Sequence, residues 1–394
     1  MNGPPGHRAL ELLRCAHRSP GITRAEAASR LGLSSGSATE IMTRLRAARL
    51  LAETPRRPAG GRGRPTAVLV PHPEGPLVAV AEIGHETWTV TTASLGGTLD
   101  PAPVHRHRQP EAALPDTSLP ETLLRDVGAA LARRRREYGA RIRAIGVAVP
   151  GTIRDTTVVQ AVNLRWRDVD LGGLAEAGGP RLPITVGNDA SLAGVAEALR
   201  GASQGVDVAL HLTVEVGLGG ILLVDGRPVL GATGAGGEFG HMPFGDPALR
   251  CACGASGCWD LTVDGRAMAR HLGRPAPADP RSFADRTLHA ARDGEPAATA
   301  AVRAAATALG RGVGALVNAL DPAMVTLGGL GADLLDVAPR PLNEGVRRGV
   351  MAFRRDALPP VVPAALGDRG PAIGAAESAL AEVLRTVVAA PRIG

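Results

Sequence analysis

Residues 251–260 read CACGASGCWD, so three of the chain's four cysteines fall within eight positions. Thiols at that density suit a metal, a disulfide or a reactive nucleophile, and they can also stand as free core thiols. Just upstream, Glu238 and His241 lie three residues apart behind the glycine-rich Gly234-Ala235-Gly236-Gly237. A carboxylate and an imidazole held at fixed spacing can grip vicinal hydroxyls of a small polar ligand. A third pair, Asn188-Asp189, closes the apolar stretch PITVGNDA. Taken alone, Asn-Asp at a strand end is a turn or a helix cap.

Composition narrows these choices. The N-terminal MNGPPGHRALELLRCAHRSP is broken by charge and has no signal-peptide apolar core, and no apolar run reaches the ~20 residues of a membrane span. The expected location is cytoplasmic, where thiols stay reduced and a tight cysteine cluster favours metal over disulfide. The sequence contains no lysine; every Lys/Arg position is arginine. Schiff-base chemistry and a P-loop lysine are thereby excluded. Aromatics at 2% argue against base-stacking recognition of single strands.

Charge is unevenly spread. Residues 1–66 hold twelve arginines against four glutamates, a net +8, while the whole chain is +6 and the remainder therefore −2. A basic head on a slightly acidic body points to a polyanion partner for the head.

The head's pattern predicts three short helices. Ala9, Leu12, Leu13 and Ala16 are spaced as one helix face; Thr23-Arg24-Ala25-Glu26 is a capping box for a second helix ending near Leu31-Gly32. Ser37-Ala38-Thr39-Glu40 reads as a capping box opening a third helix to about Leu50, with Ala38, Ile41, Met42, Leu45 and Ala48 inward. Two strands, from Leu50 and from Ala67, would flank the loop 55–65 as a wing. Helix-turn-helix plus wing predicts double-stranded DNA binding, with Ser35, Ser37, Thr39, Thr43 and Arg44 facing the major groove and Arg62 and Arg64 on the wing. One small head makes few contacts, so a homodimer or homotetramer on paired half-sites is expected.

The rest alternates strands and helices, an α/β pattern with glycine turns at strand ends where such sheets bind ligands. Strands are expected at 76–84, 87–99, 143–151, 183–190 and 324–332. Two more fall in 208–229, turned at Gly217–Gly220 and Asp225-Gly226. Helices fall at 118–138, 191–200 and 285–319. No simple repeat period is visible. The expected division is a winged helix domain at 1–71 and an effector-binding body at 72–394.

In chain order, AIGVAVPG, VGNDASLAGVAEA, GEFGHMPF and CACGASGCWD resemble the ROK (repressor, open reading frame, kinase) family, over roughly residues 8–385. The resemblance implies an actin-like, two-lobed sugar-kinase (RNase H-like) body, to which the repressor branch adds an N-terminal winged helix. It implies sugar contacts from Asn188, Asp189, Glu238 and His241, with Asp189 at the position of the kinases' general base. It also implies zinc, for which His241, Cys251, Cys253 and Cys258 are the ligands; three thiolates and an imidazole fill a tetrahedral site and leave no open position, so the metal is structural. The family's glutamate two residues after the last cysteine is Asp260 here, one methylene shorter.

Two phosphate-binding stretches depart from the kinase pattern. Where the kinases carry Asp-x-Gly-Gly-Thr, this chain reads Glu82-Ile83-Gly84-His85-Glu86-Thr87; where they carry Gly-Thr-Gly, it reads Glu215-Val216-Gly217. A carboxylate facing a triphosphate repels it by ~1 kcal/mol or more. The expected protein is therefore a catalytically inactive, sugar- or sugar-phosphate-responsive transcriptional repressor, not an enzyme. The alternatives are an active sugar kinase with a regulatory head, or a regulator sensing a non-sugar metabolite, which Asp260 keeps open.

Overall fold

The computed structural model describes residues 5–55, 67–85, 87–103, 105–108 and 120–389. At its N-terminal end, α1 (Pro5–Arg18), α2 (Arg24–Arg30) and α3 (Ser35–Ala47) pack around Ala9, Leu12, Leu13, Ala16, Ala27, Ile41, Met42 and Leu45. The Thr23 capping box forms as expected, its hydroxyl accepting from the Glu26 amide at 3.1 Å while the Glu26 carboxylate accepts from the Thr23 amide at 2.8 Å. The third helix starts two residues before the expected box. Ser34 is its N-cap and accepts from the Ser37 amide at 3.1 Å, because Ser34 is the first hydroxyl after the Gly32 reversal that can reach a free helical N–H. Ala48 is exposed rather than inward, since the helix ends at Ala47.

The wing strands β1 (Leu51–Pro55) and β2 (Ala67–Pro71) pair antiparallel, Leu51 opposite Pro71 and Pro55 opposite Ala67. Arg62 and Arg64 lie outside the described residues.

The first large sheet comprises β3 (Leu77–Ile83), β4 (Thr87–Ser94) and β5 (His105–Arg108), then, after α4 (Pro120–Tyr138), β6 (Ile142–Val149). A small three-stranded sheet, β7 (Thr152–Arg154), β8 (Thr157–Ala161) and β9 (Trp166–Asp170), precedes β10 (Ile184–Asn188) and α5 (Asp189–Arg200). The second large sheet holds β11 (Val208–Glu215), β12 (Gly217–Val224) and β13 (Arg227–Pro228). After α6 (Gly265–His271), α7 (Pro280–Arg292) and α8 (Pro296–Leu320) it gains β14 (Met324–Gly329). Then α9 (Leu330–Val337), α10 (Pro339–Gly349), β15 (Val361–Pro363) and α11 (Gly370–Ala389) complete the chain.

The two sheets have one topology: β5-β4-β3-β6-β10 and β13-β12-β11-β14-β15. In each, a central antiparallel hairpin is extended on one side by two parallel strands. The result is a two-lobed α/β body built on a duplicated sheet.

Several strand ends differ from expectation: β4 stops at Ser94, β10 gives way to α5 after Asn188, and β14 gives way to α9 after Gly329. The β11–β12 reversal occurs at Val216, and Gly217, Gly219 and Gly220 lie inside β12 rather than in the turn. Bare positions are required there: a Cβ on Gly220 would overlap β11, and the loop at Gly237 crosses directly over the Gly220 carbonyl.

Each lobe has its own apolar core, one around Ile83, Ile145 and Trp88, the other around Leu210, Leu327, Trp259 and α8. The apolar core of the head runs on into Val78, Ala144, Ala375, Ala379 and Leu380 of the first lobe and α11. Helix α8 is long and apolar enough to cross a bilayer, but most of it is buried against α10 and α7 in the second lobe.

Candidate ligand cleft and head surface

Strand β10 delivers Asn188 and Asp189 to the end of the first sheet, and β12 with the loop 229–241 delivers Glu238 and His241 from the second. Asn188 is the N-cap of α5: its Oδ1 accepts from the Ser191 amide at 2.9 Å, and its Nδ2 donates to the Gly151 carbonyl at 3.0 Å. The cap that the residue pair suggests in isolation is therefore present. One N–H and one lone pair remain for a ligand.

Asp189 is the first residue of α5. Burial lifts its pKa to about 6, helped by the nearby Glu238 and opposed by the amide of Ala190 at 2.8 Å. Such a group is held at the border between carboxylate and acid near neutral pH, as a proton acceptor requires.

Glu238 accepts a hydrogen bond from the Thr152 hydroxyl at 2.6 Å, and its other oxygen lies 3.9 Å from Nε2 of His241. Thr152 belongs to β7, so this contact joins the lobes across the cleft. Asp260 is buried, its Oδ2 3.9 Å from Arg266 Nη2, while its Oδ1 has no hydrogen-bond partner among the described residues. Arg266 is anchored by Asp264 at 2.6 Å, and its buried Nη2 has no hydrogen-bond partner among the described residues. The Nδ1 of His85 is in the same state, and burial lowers the His85 pKa, helped by Arg266 and opposed by Asp279. Asn163 donates to the Val216 carbonyl beside Gly217, facing Asp260 and Arg266.

Unpartnered buried polar atoms on His85, Asp260 and Arg266 are costly unless a polar ligand or water meets them. The sequence reading missed Thr152, Asn163 and Arg266. None carries a spacing signal: each reaches the cleft from a separate element. Glu86 lies outside the described residues.

His241, Cys251, Cys253 and Cys258 converge as expected, one ligand atom from each lying within 4.8 Å of the others. Cys251 Sγ is 3.8 Å from His241 Nδ1, and Cys253 Sγ is 3.6 Å from Cys258 Sγ. Ligands on a tetrahedral ion with ~2.3 Å metal–sulfur bonds stand about 3.8 Å apart, so the donor set fits a metal. Burial and the neighbouring thiols push the Cys258 thiol up to about 12. A bound cation reverses that cost by stabilising the thiolate. The reversal at Gly254, with φ +101°, lets Cys251 and Cys253 face one centre.

On the nucleotide side of the kinase pattern, Glu215 ends β11 and lies over Gly329, the residue that opens α9. Arg281 holds it at 3.4 Å and also meets Asp333 at 2.8 Å and Asp285 at 3.1 Å. Desolvation raises the Glu215 pKa to about 7, against the pull of Arg281, although 46% of its side chain stays exposed.

On the head, Ser35, Ser37, Thr39, Thr43 and Arg44 are all exposed on α3, opposite Ile41 and Leu45. Thr39 and Thr43 hydroxyls donate to carbonyls one turn back at 2.8 and 2.9 Å, and Arg44 pairs with Glu40 at 2.7 Å. These partners are local and can be exchanged for a ligand's.

Comparison with known proteins places residues 98–382 within the ROK family model. A glucokinase of Streptomyces coelicolor is 29% identical over 283 residues, 68% of this chain and 88% of that protein. A xylose repressor of Caldicellulosiruptor bescii is 30% identical over 200 residues, covering 48% of this chain and 50% of that one. Among solved structures, a ROK glucokinase from Streptomyces griseus in complex with glucose and AMPPNP superposes with TM-score 0.65 at 26% identity, covering 77% of this chain and 99% of that one. A ROK transcriptional regulator, a homologue of the E. coli MLC protein, superposes with TM-score 0.73 at 22% identity over 98% of both chains, head included.

Proposed function

The chain belongs to the ROK family, and from that premise we propose that it is a sugar-responsive DNA-binding transcriptional regulator with no kinase activity. In this reading residues 1–71 are the winged helix unit and residues 72–394 the effector-binding unit. The observation that carries it is the pairing, in one chain, of an exposed polar α3 face with a cleft that keeps its sugar side and carries Glu215 on its nucleotide side.

Asn188, Asp189, Glu238, His241 and Asp260 form the sugar side. The S. griseus glucokinase of similar fold was solved with glucose, and curated relatives include xylose repressors, so the proposed effector is a sugar or its phosphate. Asp189 acts there as a hydroxyl acceptor. Phosphoryl transfer rests on positioning and charge neutralisation, and both fail where Glu215 consumes Arg281 and lies against the start of α9.

His241, Cys251, Cys253 and Cys258 would hold zinc, which, with four protein ligands, supplies rigidity rather than chemistry. Its Nδ1 faces the thiols and its Nε2 faces Glu238, so metal binding would fix the orientation of the His241 ring at the sugar side.

For DNA, Ser35, Ser37, Thr39, Thr43 and Arg44 would face the major groove, with wing Arg62 and Arg64 on phosphate or minor groove, in a dimer or tetramer on paired half-sites. Sugar must favour one head arrangement over the other to act.

The test pairs thermal-shift screening against sugars and sugar phosphates with anisotropy on duplexes tiled across the region upstream of the coding sequence, with and without each hit. Stabilisation by a sugar that changes operator affinity supports the reading. Sugar-dependent release of ADP from ATP overturns it in favour of a kinase, and stabilisation only by a non-carbohydrate metabolite overturns the sugar assignment.

A further inference from the structure

We propose that His17, Arg200 and Glu377 form the joint through which the ligand cleft sets the position of the head, with α5 as the rod between them. The inference rests on the reading of the cleft as an effector site and of the head as its output.

Helix α5 has the cleft at one end and the head at the other. Asp189 is its first residue, and Arg200 is its last. Twelve residues at ~1.5 Å rise span about 18 Å. Arg200 Nε donates to Glu377 Oε1 at 2.7 Å, and its Nη2 donates to the His17 carbonyl in the last turn of α1 at 3.0 Å. His17 Nε2 lies 2.9 Å from Glu377 Oε2, and its Nδ1 accepts from the Gly96 amide at 2.8 Å. With Nδ1 an acceptor, the ring proton sits on Nε2 and is donated to Glu377. All three side chains are nearly or wholly enclosed, Arg200 at 12% exposure and the others lower.

Four separate segments therefore meet in one closed set of charge-assisted hydrogen bonds: the end of α1, the loop at Gly96–Gly97, the end of α5 and the middle of α11. Burial would raise the Glu377 pKa, but His17 and Arg200 overcome it and hold the carboxyl below its ordinary value. A buried pair of this kind loses much when one partner is removed, because the other charge is left unmatched.

The rod is stiff and tightly seated. Glu197, one turn before Arg200, accepts from the amides of Ala202, Ala365 and Leu366 at 2.7, 3.1 and 2.8 Å, tying the end of α5 to the segment that leads into α11. Gly374, one turn before Glu377, packs so closely that a Cβ there would overlap the Leu192 carbonyl of α5. A displacement of α5 at Asp189 cannot be absorbed between the helices and must be carried to Glu377 and Arg200 together.

The experiment reads hydrogen–deuterium exchange in the full-length, metal-loaded protein at two places, the head peptides spanning 7–18 and 35–47 and the body peptides of β11 and β14. Glu377→Gln and Gly97→Ala, whose Cβ would overlap Glu377, are expected to speed head exchange at least tenfold and leave β11 and β14 unchanged. Arg200→Lys keeps the charge and should recover part of the loss seen in Arg200→Ala. For coupling, Asp189→Asn is measured alone and in the Arg200→Ala background. It should alter head exchange in the wild type and not in that background. Head exchange indifferent to Asp189→Asn, or altered equally in both backgrounds once scaled to the exchange of β11 and β14, overturns the joint. Sugar binding, followed separately by calorimetry with glucose and xylose, tests the effector reading on its own, so that its failure is told apart from a failure of the joint.

Discussion

Nε2 of His241 lies 3.9 Å from the Glu238 carboxylate, while Nδ1 of the same ring lies 3.8 Å from the Cys251 sulfur. One imidazole thus belongs to the cysteine cluster and to the ligand cleft. The cluster cannot be disturbed without reorienting a cleft residue.

Cys253→Ser is therefore expected to lose bound zinc and sugar binding together. Metal content by atomic emission and sugar affinity by calorimetry, on the same preparation, check it; affinity should fall 10–100-fold, the usual cost of losing such orienting contacts. Metal-free protein that binds sugar normally would refute the link.

The buried carboxyl of Asp189 makes opposite demands on stability and binding. Its pKa is about 6 in the fold against about 3.8 unfolded, so the folded state disfavours ionisation. Its penalty is absent below pH 3.8, grows between 3.8 and 6 and is complete above 6, at about 3 kcal/mol for a two-unit shift. Asp189→Asn should raise the melting temperature at pH 7.5 but not at pH 4. The same change should abolish sugar binding, and wild-type affinity should weaken as pH falls below 6, where the acceptor is protonated.

On the proposed reading Glu215 blocks the nucleotide side, so wild-type protein should show no AMPPNP binding by calorimetry and no sugar-dependent ADP release. Glu215→Thr removes a carboxylate held beside Arg281 and should improve AMPPNP affinity by about tenfold, the scale of one unfavourable charge contact. ADP release should remain absent, because His85 and Glu86 still occupy the other phosphate stretch.

On the proposed head, Arg44 would sit at the rim of the major groove and exchange its Glu40 partner for a flanking phosphate. Arg44→Ala should weaken binding to all duplexes alike and reduce the slope of log affinity against log salt by about one. Thr39→Ala or Ser35→Ala should instead change the preferred operator sequence, with little change in slope. Anisotropy titrations from 50 to 200 mM salt separate the two.

Much of the site was legible in the sequence because its residues lie in short contiguous runs. Cys251, Cys253 and Cys258 are local, and His241 is close enough in sequence to be found with them. The Thr23 capping box and the buried face of α1 followed from spacing alone, since helix geometry converts spacing directly into a shared face. The start of α3 did not, because Ser34 and Ser37 are both capping residues and only the position of the Gly32 reversal chooses between them. The glycines of β12 looked like a turn for a related reason. Their bareness serves a loop that crosses from 237, a requirement no local pattern records.

By itself the sequence determined the kinds of chemistry available: a thiol and imidazole cluster, carboxylates at strand ends, an arginine-rich head, no lysine, and acid where the kinase pattern has phosphate loops. Tertiary structure alone decided how these are joined. It revealed two sheets of one topology with no repeat in the sequence, because a fold is preserved by apolar patterning that many residues satisfy. It brought Thr152, Asn163 and Arg266 to the cleft, and it closed His17 against Glu377 across 360 positions. Contacts at such separation depend on how whole elements pack, and elements pack by shape and burial, which single positions in a chain do not encode.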